Sequence, residues 1–87
     1  MAYGEDGKLG EDDKILLLMH NLSLVHREIA WTSLEIAKNA SISEDYLISM
    51  LKQLEARGYV RSFSDADGEK KYYLTGIGII KISTEFT

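Results

Sequence analysis

Two helix starts lie close together in the middle of the chain, and each has the residues that fix a helix N-terminus. Thr32 is followed three residues later by Glu35, the pattern of a capping box. Ser43 precedes Glu44, whose negative charge favours the positive end of a helix. Only residues 39–42 separate the two predicted helices, which leaves a turn of about four residues. Two capped helices joined so tightly predict a helix-turn-helix.

Three helices are predicted in the first two thirds of the chain. The first begins near Glu11 and ends near Asn21, because apolar residues recur there at helical spacing. Residues 24–31 form a linking stretch with room for one short strand, and a second helix follows to about residue 39. The third helix runs from about residue 44 to 57 and ends at Gly58, in the position that favours glycine.

A β-hairpin is predicted directly after the third helix. Residues 59–64 and 69–74 are rich in aromatic and β-branched side chains, and the intervening residues contain an Asp-Gly turn signal. Thr75 is predicted to cap a short apolar segment, 76–83, which we expect to be helical although Gly76 and Gly78 lower its helix propensity. The fold class is therefore α+β and mostly α, a three-helix core with a β-hairpin wing.

Length and charge divide the chain into a tail and one domain. Its 87 residues fit a single domain, and we assign residues 1–10 to a disordered acidic and glycine-containing tail and residues 11–87 to the folded part. Residues 1–13 carry a net charge of −4, whereas nine acidic and nine basic residues balance in the rest. Residues 14–87 are therefore neutral, although nucleic-acid-binding domains are usually basic.

Several classes of protein and site are disfavoured by what the sequence lacks. The absence of cysteine favours a reducing, cytoplasmic location and excludes a cysteine zinc site. No apolar run is long enough for a membrane span. His20 and His26 have no third metal ligand in a fitting pattern, so we predict no metal and no cofactor. No phosphate-binding glycine loop or nucleophile turn is present, and an enzyme is not expected.

The third helix and the hairpin resemble winged-helix regulators of the MarR and PadR type. The resemblance rests on Leu51, on Leu54 and Glu55, on the run 58–60 (Gly-Tyr-Val), and on the run 72–78 (Tyr-Tyr-Leu-Thr-Gly-Ile-Gly). It implies a winged helix-turn-helix that binds double-stranded DNA as a transcriptional regulator. The helix at about 43–57 would enter the major groove, and the wing at about 59–74 would contact the flanking backbone.

Polar and basic side chains on these two elements are the candidate DNA contacts. On a helical wheel, the face opposite Leu47, Leu51 and Leu54 carries several of them. The full set is Ser43, Tyr46, Ser49, Lys52, Gln53, Arg57, Arg61, Lys70 and Lys71. Acidic residues lie among them at 44, 45, 65, 67 and 69, and these oppose phosphate binding. A winged-helix module that binds another protein and has little DNA affinity therefore remains the alternative.

Large apolar residues at both ends of the domain exceed what a small core is expected to bury. We predict that they form a homodimer interface, because large exposed apolar patches usually mark contacts. The residues are Leu16, Leu17, Ile77, Ile80 and Phe86.

Overall fold

The computed structural model describes residues 10–85, which form four α-helices and a three-stranded antiparallel sheet. The elements are α1 (Glu11–Asn21), β1 (Trp31–Thr32), α2 (Ser33–Ala40), α3 (Glu44–Ala56), β2 (Val60–Ser64), β3 (Lys70–Leu74) and α4 (Gly76–Glu85), with a 3₁₀ turn at Arg27–Ile29. The predicted tail lies outside the described residues except for Gly10, and so does Phe86.

The helix caps are those that the sequence predicts. The Thr32 hydroxyl accepts from the backbone amide of Glu35 at 3.1 Å, and the Glu35 carboxylate accepts from the amide of Thr32 at 2.9 Å. Ser43 caps α3 by accepting from the amide of Tyr46 at 3.1 Å. Gly58 follows α3 with a φ of 84°, a left-handed conformation that favours glycine. These local contacts confirm the predicted helix starts and the end of α3 to within one residue.

The sheet is built around β3, in the order β1-β3-β2. The hairpin strands start one residue later than predicted, at Val60 and Lys70. Gly68 adopts a φ of 83° and donates its amide to the carbonyl of Asp65 at 2.9 Å, which makes a tight turn with a left-handed glycine. The linking stretch contains the 3₁₀ turn as well as the start of β1, and its Leu24 carbonyl also accepts from the amide of Leu74 in β3 at 2.7 Å.

One hydrophobic core joins the three helices of the motif to the inner face of the sheet. Leu47, Leu51 and Leu54 of α3 are fully buried, with Val60 and Leu74 of the hairpin beside them. Burying a side chain of this size stabilises a fold by roughly 1.5–3 kcal/mol. The same three leucines therefore fix the rotation of α3 about its axis and decide which side of the helix faces solvent.

Helix α4 is fastened to the end of α3 by Thr75. The Thr75 hydroxyl donates to the carbonyl of Gly58 at 2.6 Å and accepts from the amide of Gly78 at 3.0 Å. A Cβ on Gly78 would lie 2.2 Å from the backbone oxygen of Tyr59. The glycine that lowers helix propensity in the sequence is thus required for close packing. The segment is helical, as expected, and α4 also approaches α1, where Lys81 Nζ lies 3.4 Å from the buried Oδ1 of Asp13.

Candidate nucleic-acid interface

Helix α3 presents a polar stripe to solvent on the side opposite its buried leucines. Asp45, Ser49, Lys52 and Gln53 are exposed there, and Ala56 continues the stripe. The Ser49 hydroxyl donates to the carbonyl of Tyr46 at 2.8 Å and keeps its lone pairs available. No ion pair joins Lys52 to another side chain within residues 10–85. The stripe offers one cation, one amide, one hydroxyl and one carboxylate to a partner.

Two predicted DNA contacts on α3 are held by acidic residues of α1. The Tyr46 hydroxyl donates to Glu11 Oε1 at 3.1 Å, and Arg57 Nη1 lies 2.6 Å from Asp12 Oδ2. Partial burial raises the pKa of the Tyr46 hydroxyl, and the adjacent Glu11 carboxylate raises it further. Both side chains therefore turn toward α1, along the flank of α3 rather than along its exposed stripe. Sequence reasoning placed both residues on the helix; Tyr46 lies there, whereas Arg57 directly follows the last residue of α3, and the sequence had no signal for these long-range partners.

The acidic residues on the other flank of α3 have structural partners as well. Glu44 accepts a hydrogen bond from the Ser33 hydroxyl at 2.7 Å, which connects α3 to the first turn of α2. Glu55 accepts one from the Ser62 hydroxyl at 2.7 Å, which connects α3 to β2. The two carboxylates thus connect α3 to its neighbours, α2 and β2.

The wing turn is organised by a single carboxylate. Oδ1 of Asp65 accepts from the amides of Asp67 and Glu69, both at 2.9 Å, and Oδ2 lies 3.3 Å from Nζ of Lys71. These amide hydrogen bonds, the one from Glu69 foremost, together with Lys71, hold the pKa of Asp65 below its usual value. Asp65 and Lys71 thus largely neutralise each other, and Lys70 is the exposed cation at the turn end of the wing.

A cleft of about 260 Å³ places the turn end of the wing beside the helix-turn-helix. Its walls come from the first turn of α2, the start of α3 and the beginning of β3. The lining residues are Thr32, Ser33, Leu34, Glu44, Glu69 and Lys70. Lys70 and the N-terminal end of α3 therefore lie on one side of the molecule. Leu34 is an exposed apolar residue of this cleft that sequence reasoning did not single out.

The candidate dimer residues separate into three groups. Ile77 and Ile80 lie on the outer face of α4 with 60% and 64% of their surface exposed, and Leu17 of α1 is half-buried. Leu16 is wholly buried in the core of its own chain, so its prediction as an interface residue is wrong. Several leucines follow one another in α1, and periodicity alone did not show which of them faces inward. Phe86 lies outside the described residues.

No cluster of three or more potential metal ligands occurs within residues 10–85. Neither does that range contain a helix with the length and apolar character that crossing a membrane requires.

The arrangement of helices and hairpin is a winged helix-turn-helix, and solved structures share it. A candidate DNA-binding protein from Ralstonia eutropha JMP134 is 25% identical with a TM-score of 0.75, covering 92% of this chain and 100% of its own. The DNA-binding TubR fragment from Clostridium botulinum is 18% identical with a TM-score of 0.76, covering 88% and 96%. No protein-family model and no curated protein matches the sequence.

A larger regulator shares the fold over part of its length. MepR of Staphylococcus aureus, a transcription regulator of the multidrug efflux pump MepA, is 21% identical with a TM-score of 0.71. The match covers 93% of this chain and 58% of MepR. MepR in complex with DNA gives the same TM-score at 22% identity, with 93% and 56% covered. The chain thus spans little more than half of MepR, and the likeness at this identity concerns the fold.

Proposed function

We propose that this protein is a DNA-binding transcriptional regulator that acts as a homodimer. Helix α3 enters the major groove, and the wing contacts the flanking backbone. The observation that carries the proposal is the exposed stripe of Ser49, Lys52 and Gln53 on α3, and Lys70 of the wing lines a cleft with Glu44 at the start of the same helix. The structural likeness to DNA-binding regulators, including MepR in a DNA complex, supports this function.

The side chains of the stripe suit the edges of bases. Lys52 would donate to the oxygen and ring nitrogen that guanine presents in the major groove, and the Gln53 amide would pair with adenine. Ser49, whose hydrogen is already donated to Tyr46, would accept from a base amino group, whereas Lys70 would contact phosphate and set the orientation without reading sequence. Ser43 serves first as the cap of α3, so any contribution to DNA binding would come through the position of that helix.

The distribution of charge makes DNA binding compatible with a domain that has no excess of basic residues. Glu44 and Asp65, two of the acidic residues near the proposed interface, are already engaged by Ser33 and by Lys71 and the wing amides. Asp45 is the exposed carboxylate that remains on the α3 stripe. A homodimer doubles the available cations on the DNA side, which strengthens a modest electrostatic attraction.

The proposed dimer uses the outer face of α4. Ile77 and Ile80 are three residues apart and stand on the same side of the helix, so they offer a contiguous apolar contact. Two copies related by a twofold axis would place their α3 helices about 34–36 Å apart, one turn of DNA, on a palindromic site.

Selection of bound sequences from a random DNA pool tests the proposal and supplies a duplex for variants. We expect Lys52→Ala to weaken binding to the selected duplex by roughly 1–3 kcal/mol. Lys38→Ala removes the same charge from the exposed surface of α2 beside Trp31 and should leave affinity unchanged. If the double variant Lys52→Glu and Lys70→Glu bound as tightly as the wild type, the proposed docking would be wrong.

A protein-binding winged helix is the second candidate, and the cleft favours it. Leu34 is 47% exposed there, beside the carboxylates of Glu44 and Glu69. An apolar contact ringed by acidic groups suits a basic protein partner better than a phosphate backbone. Phosphate contacts lose affinity steeply between about 50 and 200 mM salt. Failure to bind any DNA at the lower salt would favour this second function.

A further inference from the structure

The outward face of the sheet is a second basic surface, separate from α3. Arg61 lies opposite Tyr73 in the hairpin register, and Phe63 lies opposite Lys71. Opposed residues of an antiparallel pair share a face, and neighbours along a strand alternate between faces. Tyr72 is buried against the helices, so these four side chains point away from the core.

Arg27 of the 3₁₀ turn extends this surface across the sheet. Its guanidinium carbon lies 4.2 Å from the centre of the Phe63 ring, within the range of a cation–π contact. The Phe63 and Tyr73 rings are 6.2 Å apart at 59°. Aromatic rings and cations thus alternate over one continuous patch, which we call the sheet platform: Arg27, Arg61, Phe63, Lys71 and Tyr73.

The charge of the sheet platform favours an anionic partner. Lys71 is balanced by Asp65, but neither Arg27 nor Arg61 has an ion pair with a carboxylate among residues 10–85. Both arginines are exposed, and the side chain of Tyr73 is partly exposed on the same face of the sheet. The platform therefore combines two uncompensated guanidinium groups with an accessible ring.

We infer that the sheet platform binds single-stranded nucleic acid. Unstacked bases stack on aromatic rings and on guanidinium planes, while cations track the phosphates, and this face supplies all three groups. Duplex DNA keeps its base faces inside the stack and leaves the ring of Tyr73 without a counterpart. An acidic peptide would match the charge but would make no use of the rings. The inference goes beyond the proposed duplex contact, which uses α3 and Lys70.

Fluorescence anisotropy with a labelled oligothymidylate of about twelve nucleotides tests the inference, since a few nucleotides occupy a site of this kind. We expect binding that weakens with salt and about 5- to 150-fold weaker binding for Tyr73→Ala, the range reported for loss of one stacked base. Tyr73→Phe keeps the ring and should bind as the wild type does. Arg61→Glu should weaken binding, and Arg61→Lys should retain most of it. Thermal melting of each variant confirms that it is folded.

Two controls separate this inference from the proposed function. Lys52→Glu places the same charge change on α3, so it should abolish duplex binding and leave oligothymidylate binding intact. Arg27→Glu, at a platform residue outside the proposed duplex contacts, should weaken oligothymidylate binding and leave duplex binding intact. The inference is overturned if the wild type does not bind the oligonucleotide, or if folded Tyr73→Ala binds it as tightly as the wild type. It is also overturned if a polyglutamate peptide of equal charge competes as well as unlabelled oligonucleotide. Absence of duplex binding alone would count only against the proposed function.

Discussion

Gly76 and Gly78 stand two residues apart at the start of α4, yet the structure gives them opposite roles. A Cβ on Gly78 would lie 2.2 Å from the carbonyl oxygen of Tyr59, whereas one on Gly76 would meet nothing within 4 Å. We therefore expect Gly78→Ala to lower the free energy of unfolding by about 1–3 kcal/mol through overpacking. Gly76→Ala should leave it unchanged or raise it by up to about 1 kcal/mol. Urea unfolding of the two variants would measure this; equal stability for both would contradict the packing of α4.

Asp65 gives the wing a defined response to acid. Its pKa is lowered in the folded protein by the wing amides and Lys71, so its ionised form stabilises the fold. That stabilisation is complete above the unfolded value of about 3.8 and is lost as pH falls through the folded pKa. Asp65→Asn keeps an acceptor oxygen but lacks the charge. The stability difference between wild type and Asp65→Asn should therefore shrink as pH falls below about 4, in urea unfolding measured across that range. A difference that stays constant would contradict the charge of Asp65 as its cause.

Thr75 shows how one side chain positions an entire element. Its hydroxyl donates to Gly58 at the end of α3 and accepts from Gly78 in α4. Thr75→Val keeps the shape but leaves both backbone groups without this partner, and we expect a loss of about 1–3 kcal/mol in unfolding free energy. Thr75→Ser retains the hydroxyl and should lose much less. Hydrogen exchange at the amides of Gly78 and Ile79 should accelerate in the valine variant, and unchanged protection would contradict the role.

The elements that the sequence predicts well are those whose signals are local. The caps at Thr32 and Ser43 and the glycine after α3 act within a few residues, and each is where expected. The register of β1 on β3 and the burial of Leu16 depend on residues far apart in the chain. Periodicity carries no information about such contacts, so these features needed the folded molecule.

In the candidate site too, the sequence predicts the local features of α3 but not its long-range contacts. The helical wheel correctly separates the exposed stripe of α3 from its buried leucines. It does not show that α1 supplies Glu11 and Asp12 to Tyr46 and Arg57, because those partners are 35 and 45 residues away. The acidic N-terminal charge of the chain therefore acts in part as an internal brace for α3. Sequence counting included the same two carboxylates in the acidic total of residues 1–13 and could not show that they contact Tyr46 and Arg57.

The assembly of the whole molecule depends on the outer face of α4. If two copies pair there, Ile80→Glu introduces a desolvated charge into the interface and should produce a monomer by sedimentation equilibrium. Ile29→Glu makes the same change at an exposed isoleucine of the 3₁₀ turn, outside the proposed interface, and should leave the mass unchanged. A monomeric wild type, or a dimer that survives Ile80→Glu, would contradict this interface. A monomer would also remove the doubling of cations on which the proposed DNA affinity depends.

The salt dependence of duplex binding by the whole dimer depends on how many cations on its DNA side have no carboxylate partner. Arg57 and Lys71 are held by Asp12 and Asp65, which leaves Lys52 and Lys70 on the proposed DNA side of each protomer. Two cations per protomer bring about four positive charges per dimer close to the DNA phosphates, and the logarithm of the affinity should fall with the logarithm of salt with a slope near −4. Lys70→Ala should make that slope shallower by about 2, since each dimer loses two contacts. Lys71→Ala removes the same charge from a lysine already paired and should change the slope little. A wild-type slope steeper than about −7 would mean that the braced arginine and lysine leave their carboxylates for phosphate when DNA binds.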